Sequence, residues 1–327
     1  NLMSPLPWQA AVWQRLCEVA NRDRLGHALL LTGAAGLGKL SLAQLFRRYL
    51  LCEQPDTVAQ QPCGVCRACQ LSAVGNHPDA MDVTVEAGKQ HISVDQVRDL
   101  CQRMMRTTHG HQGRVICLYP AESMTQNAAN SLLKTLEEPP PNSVFLLLSQ
   151  RWSVLPLTIV SRCQRIHFPV PSNEDALRWL QSQHPSASAH WQYALDYAAG
   201  APLRASSLLA SSEWERHQEW LSRWQAVSEG RQLPTEAAEA ILPKKTDQRL
   251  ALFKQLLRWW LTALALMIKD QALNKALPAW LQAKSRHDLQ AFYQRVFRVL
   301  QDVDQVALNA QLQLEALFIS WQYGEED

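Results

Sequence analysis

The sequence predicts an α/β sheet domain followed by domains built only of helices. Three observations carry that expectation. Up to Phe168, short apolar runs of strand length alternate with stretches of helical periodicity, the pattern of a doubly wound parallel sheet. A glycine-rich turn, Gly33-Ala34-Ala35-Gly36-Leu37-Gly38-Lys39-Leu40, joins the first such run to a helix. Beyond Pro169-Val170-Pro171 no convincing strand follows, and long helical patterns dominate. The material changes as well: all eight cysteines lie at or before Cys163, whereas eight of the twelve tryptophans lie after residue 190.

Residues Trp8 to Ala20 read as an amphipathic helix, with Trp8, Val12, Leu16 and Val19 on one face. His27 to Thr32 is a buried strand, and Ser41 to Phe46 lies in the helix that follows the glycine turn. A strand candidate comes at Asp82 to Val85. Ser93-Val94-Asp95-Gln96 has the form of a capping box, opening a helix through Val97, Leu100 and Met104. Arg114 to Tyr119 is continuously apolar after its first residue, as in a parallel strand covered on both faces. A helix from Thr125 to Glu138 runs into Pro139-Pro140-Pro141, which stops it. Val144 to Ser149 and Gln164 to Phe168 are further strands. Glu174 to Gln181, Trp191 to Ala199 and Pro202 to Ala210 form three short helices. Long ones follow at Trp214 to Val227, Asp247 to Lys269, His287 to Asp304 and Ala307 to Trp321.

The glycine turn fits the phosphate-loop pattern G-x-x-x-x-G-K-[S/T] in its proper context of strand, turn and helix. In that setting Gly33, Gly36 and Gly38 let backbone N–H groups cradle an anion at a helix N-terminus, and Lys39 reaches the terminal phosphates. The last position fails: Leu40 stands where a hydroxyl would ligate magnesium. An NTPase of this kind also needs an acidic residue at the end of a second strand. The strand ending at Tyr119 runs instead into Pro120-Ala121-Glu122-Ser123, and Glu122 reads as a solvated loop carboxylate. Nucleotide binding is therefore expected to be weak or absent, and hydrolysis absent.

Cys63-Gly64-Val65-Cys66-Arg67-Ala68-Cys69, with Cys52 eleven residues before it, gives C-x-x-C-x-x-C plus one. Two-residue spacers let thiolates converge on one cation, and four of them close a tetrahedral structural zinc shell. An iron–sulfur cluster is a rival reading, although the ferredoxin run would place a Cys where Ala73 stands. Reduced thiols in a loop are the bland one. Cys17, Cys101, Cys117 and Cys163 sit in apolar patterns and read as core.

A net charge of +2 excludes a chain that coats nucleic acid through bulk electrostatics. No apolar run approaches membrane-spanning length, and no signal segment is evident. A cytoplasmic location is expected.

Three segments together carry a resemblance: the cysteine set inserted after the glycine-loop helix, Asn130-Ser131-Leu132-Leu133-Lys134-Thr135-Leu136-Glu137-Glu138-Pro139-Pro140, and Ser161-Arg162-Cys163. The chain resembles the bacterial clamp-loader subunits of the AAA+ class over nearly its whole length. The resemblance implies a RecA-like AAA+ domain at 1–168 with a zinc module inserted at about 52–69, a three-helix lid at 169–211, and a C-terminal helical collar domain at 212–327. It implies that Arg162 is an arginine finger serving the ATP site of a neighbouring subunit; residue type alone favours pairing with a surface carboxylate. Ser149 falls at a polar sensor position. In Gly200-Ala201-Pro202-Leu203-Arg204, the second sensor position holds Leu203, with Arg204 one residue away. The implied partners are gamma/tau and delta subunits in a hetero-pentamer, with the sliding clamp and primed DNA met through the assembly and no membrane. The degraded ATP site is similar to the non-hydrolysing subunits rather than the gamma/tau motor. An active AAA+ ATPase using Glu122 and a water is the alternative. A zinc-bearing nucleic-acid binder is a third reading, disfavoured because Arg67 is the only charge between Cys63 and Cys69.

Overall fold

The computed structural model describes residues 4–22, 25–105, 113–187, 191–242, 246–269, 284–303 and 309–323. The helix ends expected at Asp304 and Ala307 lie outside those residues. The chain forms two compact units, Asn1–Trp179 with Gly200–Arg204, and Leu180–Ala199 with Ala205–Asp327.

The first unit is built on a five-stranded parallel sheet in the order β2-β3-β4-β1-β5. Its strands are β1 (Ala28–Thr32), β2 (Ala80–Val83), β3 (Arg114–Leu118), β4 (Ser143–Ser149) and β5 (Gln164–His167). β1, β3 and β4 carry the continuous apolar runs because both sheet faces are covered. Leu29, Leu31, Val115, Cys117, Leu146 and Leu148 point to the side of α1 (Ala10–Asn21) and α2 (Lys39–Leu51). Leu30, Ile116, Leu118, Phe145 and Leu147 point to the other side, packing with α4 (Val94–Met104), α5 (Gln126–Glu137) and α6 (Leu157–Val160). The short helix α3 (Arg67–Ala73) lies in the cysteine segment.

Capping fixes several of these ends. Gln96 N donates to Ser93 Oγ at 3.3 Å and Ser93 N to Gln96 Oε1 at 2.9 Å, the reciprocal pair read from the sequence. Thr125 caps α5 in one direction only, its Oγ1 accepting from Ala128 N at 3.2 Å. The buried stripe of the first helix is shifted from expectation. Gln9, Val12, Trp13, Leu16 and Cys17 are buried, while Val19 is only half-buried. Cys17 and Cys117 are core residues as expected; Cys101 and Cys163 pack at the core margin.

α7 (Asn173–Gln183), α8 (Trp191–Tyr197) and α9 (Pro202–Leu209) come next. The core of the second unit is aromatic, with Trp220, Trp224, Trp259, Trp260, Phe292, Phe318 and Trp321 in one cluster. It joins α10 (Ser212–Ser228), α11 (Pro234–Ile241), α12 (Thr246–Lys269), α13 (Arg286–Asp302) and α14 (Ala310–Tyr323). No described helix is long and apolar enough to cross a membrane.

Candidate functional site

The glycine loop connects β1 to α2, and Gly38, left-handed at φ 79°, is the residue before the first turn of that helix. Lys39 is 7% exposed. Its Nζ donates to the loop's own carbonyls, Gly33 O and Ala34 O, each at 2.7 Å. Burial lowers its pKa, and the nearby negative charge of Glu122 opposes that shift. Three more of the loop's carbonyls are engaged as well. Gln9 Nε2 donates to Leu37 O and Gly38 O, both at 2.9 Å, and Trp8 Nε1 donates to Leu37 O at 3.1 Å. Leu203 N donates to Gly36 O at 3.1 Å. A Cβ added at Gly36 would fall 2.8 Å from Arg204 N, so segment 200–204 lies directly on the turn. Neither Gln9 nor Trp8 was expected there; a Gln in the apolar stripe of the first helix was the available signal.

Leu40 is half-buried and packs at the edge of the core on the α1 and α2 side of the sheet. Around the end of β3 the structure corrects one expectation. Glu122 is not a freely solvated carboxylate: its Oε1 accepts from Gln150 N at 3.0 Å, and its Oε2 is shielded from solvent. Ser149, 1% exposed at the end of β4, accepts from Arg151 N through Oγ at 3.2 Å. Its hydroxyl closes a local turn.

The four cysteines meet. The sulfurs of Cys52, Cys63, Cys66 and Cys69 all lie within 4.8 Å of one another, with Cys52 to Cys66 at 3.9 Å and Cys63 to Cys69 at 4.0 Å. A tetrahedron of sulfurs about 2.3 Å from zinc has edges of about 3.8 Å, so the set has the right size for a closed metal shell. A disulfide needs about 2.05 Å. Three backbone N–H groups point at sulfur: Cys63 N to Cys52 Sγ and Cys66 N to Cys63 Sγ at 3.3 Å, and Cys69 N to Cys66 Sγ at 3.4 Å. The amides of Cys66 and Val65 push the Cys63 thiol down to about 6, whereas burial raises Cys52 and Cys69. A cation would be needed to hold all four as thiolates.

Arg162 follows α6. Its Nη1 donates to Thr158 O at 2.8 Å, and its Nη2 pairs with Glu137 Oε1. The surface carboxylate that residue type alone favoured as its partner is present, and it sits at the end of α5.

A family model described as "DNA polymerase III, delta subunit" matches residues 8–172. The chain belongs to that family. DNA polymerase III subunit delta' of Pseudomonas aeruginosa is 42% identical over 203 residues, 62% of this chain and 60% of that protein. The delta' subunit of Escherichia coli is 35% identical over 210 residues, 64% of this chain and 62% of that protein. The matches span about three fifths of those relatives' lengths. Among solved structures, a gamma subunit-related DNA polymerase III protein from Thermotoga maritima is similar at a TM-score of 0.53 and 17% identity. That likeness covers 96% of this chain and 98% of the other, and it supports the AAA+ fold that family membership implies.

Proposed function

We propose that this chain is a delta-prime-like clamp-loader subunit of DNA polymerase III. In that reading it does not hydrolyse ATP. It completes the ATP site of a neighbouring gamma/tau subunit with Arg162 and helps place the sliding clamp on primed DNA. The observation that carries the reading is the state of Lys39. Its ammonium is spent on Gly33 O and Ala34 O, with no hydroxyl at position 40 and no acid closing β3. A P-loop lysine contributes by meeting phosphate, and here it would first have to leave two carbonyls.

The partners in this reading are gamma/tau and delta subunits in a hetero-pentamer. The lid at 169–211 and the collar domain at 212–327 belong to the same proposal. Leu312, Ala316, Ile319 and Tyr323 recur at spacings of four, three and four on α14 and are exposed, an apolar stripe suited to another helical surface. Zinc is the proposed occupant of the cysteine shell, as a structural ion, because four protein ligands leave no open position.

Glu122 gives the active-ATPase alternative its one support, since its charge reaches Lys39. Steady-state ATPase assays decide between the two. The chain alone should turn over no ATP, and an assembly carrying Arg162→Ala should lose rate. Magnesium-dependent hydrolysis by the chain alone, abolished by Lys39→Ala, would reverse the assignment.

A further inference from the structure

The ion pair at Arg162 joins two elements that share one core. α5 ends at Glu137 because Glu138 leaves helical geometry and Pro139-Pro140-Pro141 follows. Leu132 and Leu136 of that helix and Ile159 of α6 are fully buried in the same cluster. The carboxylate and the turn that bears Arg162 are therefore held at a fixed separation by packing rather than by the pair itself. The turn is anchored too, Arg162 N donating to Ile159 O at 3.1 Å and Cys163 N to Val160 O at 3.2 Å.

On this frame the guanidinium is gripped at two points, by Thr158 O through Nη1 and by Glu137 through Nη2. We infer that Glu137 is a positioning residue, which fixes the guanidinium of Arg162 in advance of its meeting a phosphate on a neighbouring subunit. The inference rests on the finger reading of Arg162.

The physical case lies in what the pair is suited to do. With side chains 33% and 49% exposed, it can add little to stability, because solvent screens such pairs. A long arginine side chain must give up rotamer freedom before it can serve one phosphate geometry. Two anchors on rigid elements remove that freedom beforehand. A guanidinium has five N–H donors, so two occupied contacts leave others for a third partner. The carboxylate also offsets part of the positive charge, which acts against phosphate attraction. Geometry and charge thus pull in opposite directions, and substitution can separate them.

The test uses the reconstituted assembly with primed DNA and clamp, comparing Glu137→Ala, Glu137→Gln, Arg162→Ala and the double variant Glu137→Ala/Arg162→Ala. Melting temperature and metal content confirm that each variant folds. Positioning predicts that Glu137→Ala lowers kcat by up to about a hundredfold, the cost of a misplaced catalytic group, with KM for ATP unchanged. Glu137→Gln, which keeps an acceptor oxygen, should retain most of the rate. The double variant should be no slower than Arg162→Ala alone. Wild-type rates for Glu137→Ala beside a slow Arg162→Ala would overturn the inference and leave the finger standing. A slow Glu137→Gln would also overturn it. So would faster turnover in both Glu137 variants, which would make the carboxylate a restraint. Wild-type rates for Arg162→Ala would remove the finger reading, and this inference with it.

Discussion

The indole Nε1 of Trp13 donates to the carbonyl of Gln60 at 3.1 Å, tying α1 to the cysteine-bearing insertion. The same ring packs edge-on to Phe46 and Tyr49 of α2. The insertion is thereby attached to the sheet unit by a core residue as well as by its two chain ends. Removing a metal bound by the four cysteines should accordingly loosen the segment without dissolving the sheet.

Metal analysis checks this directly. The purified chain should hold about one zinc, the number that four thiolates close around. Cys66→Ser should release it, with the near-ultraviolet signal of the sheet unit retained. Iron in place of zinc, or no metal in protein never exposed to chelator, would contradict the assignment.

Restoring one missing ligand should not restore hydrolysis. Leu40→Ser supplies a hydroxyl but no acid at the end of β3, and it leaves Lys39 on its two carbonyls. Measured with magnesium and ATP, the variant should stay at background. Turnover well above background would mean that Glu122 replaces the absent acid.

Arg162→Ala should leave folding, metal content and assembly intact while lowering ATPase and clamp-loading rates of the complex. An arginine finger is worth about a thousandfold or more at the site it completes, and the loss across an assembly with other intact sites should be smaller. Arg162→Lys should rescue only in part, since an ammonium lacks the planar fork.

Asp79 and Arg114 form a buried pair, Nη2 to Oδ1 3.8 Å, with side chains 1% and 3% exposed. Arg114 Nη1 also donates to Met104 O at 2.7 Å, linking β3 to the end of α4. Asp79→Ala removes the carboxylate beside a buried cation and should cost about 3–5 kcal/mol. Urea unfolding measures it; a loss below about 1 kcal/mol would mean that water reaches the site.

His217 predicts acid sensitivity in the second unit. Its Nε2 meets Tyr193 OH at 2.7 Å, and Trp214, Tyr197, Trp220 and Trp259 surround the ring. Burial pushes its pKa down from 6.5 to about 3. The unfolded chain therefore takes the proton first, and stability that is full above about 6.5 drains away as pH falls towards 3. Between pH 7 and pH 5 the loss should be about 2 kcal/mol, read by tryptophan fluorescence in urea. His217→Phe should flatten that dependence, and an unchanged slope would point to other groups.

Much of this was legible in the sequence, for physical reasons that differ by element. β1, β3 and β4 announced themselves because strands buried on both faces must be apolar throughout. The four cysteines did so because two-residue spacing has few other uses. α3, α6 and α11 were missed as helices. α6 spans only Leu157–Val160, too short to display a period, and α3 lies among metal-ligand candidates whose spacing obscured its helix. The shielding of Glu122 and the pairing of Arg162 with Glu137 were beyond reach, because each joins residues at least 25 positions apart through tertiary packing.

The contact between Gly36 and segment 200–204 has a consequence for how such a subunit would behave inside a machine. Where a nucleotide occupies a loop of this kind, the atoms above the loop respond to its arrival, hydrolysis and release. Here the chain's own segment 200–204 is bonded to the turn, with Leu203 N on Gly36 O and Arg204 N 2.8 Å from where a Cβ at 36 would stand. That bond ties the turn to a segment far along the chain. In the proposed assembly, a turn held in this way would offer its neighbours a surface whose form does not depend on nucleotide.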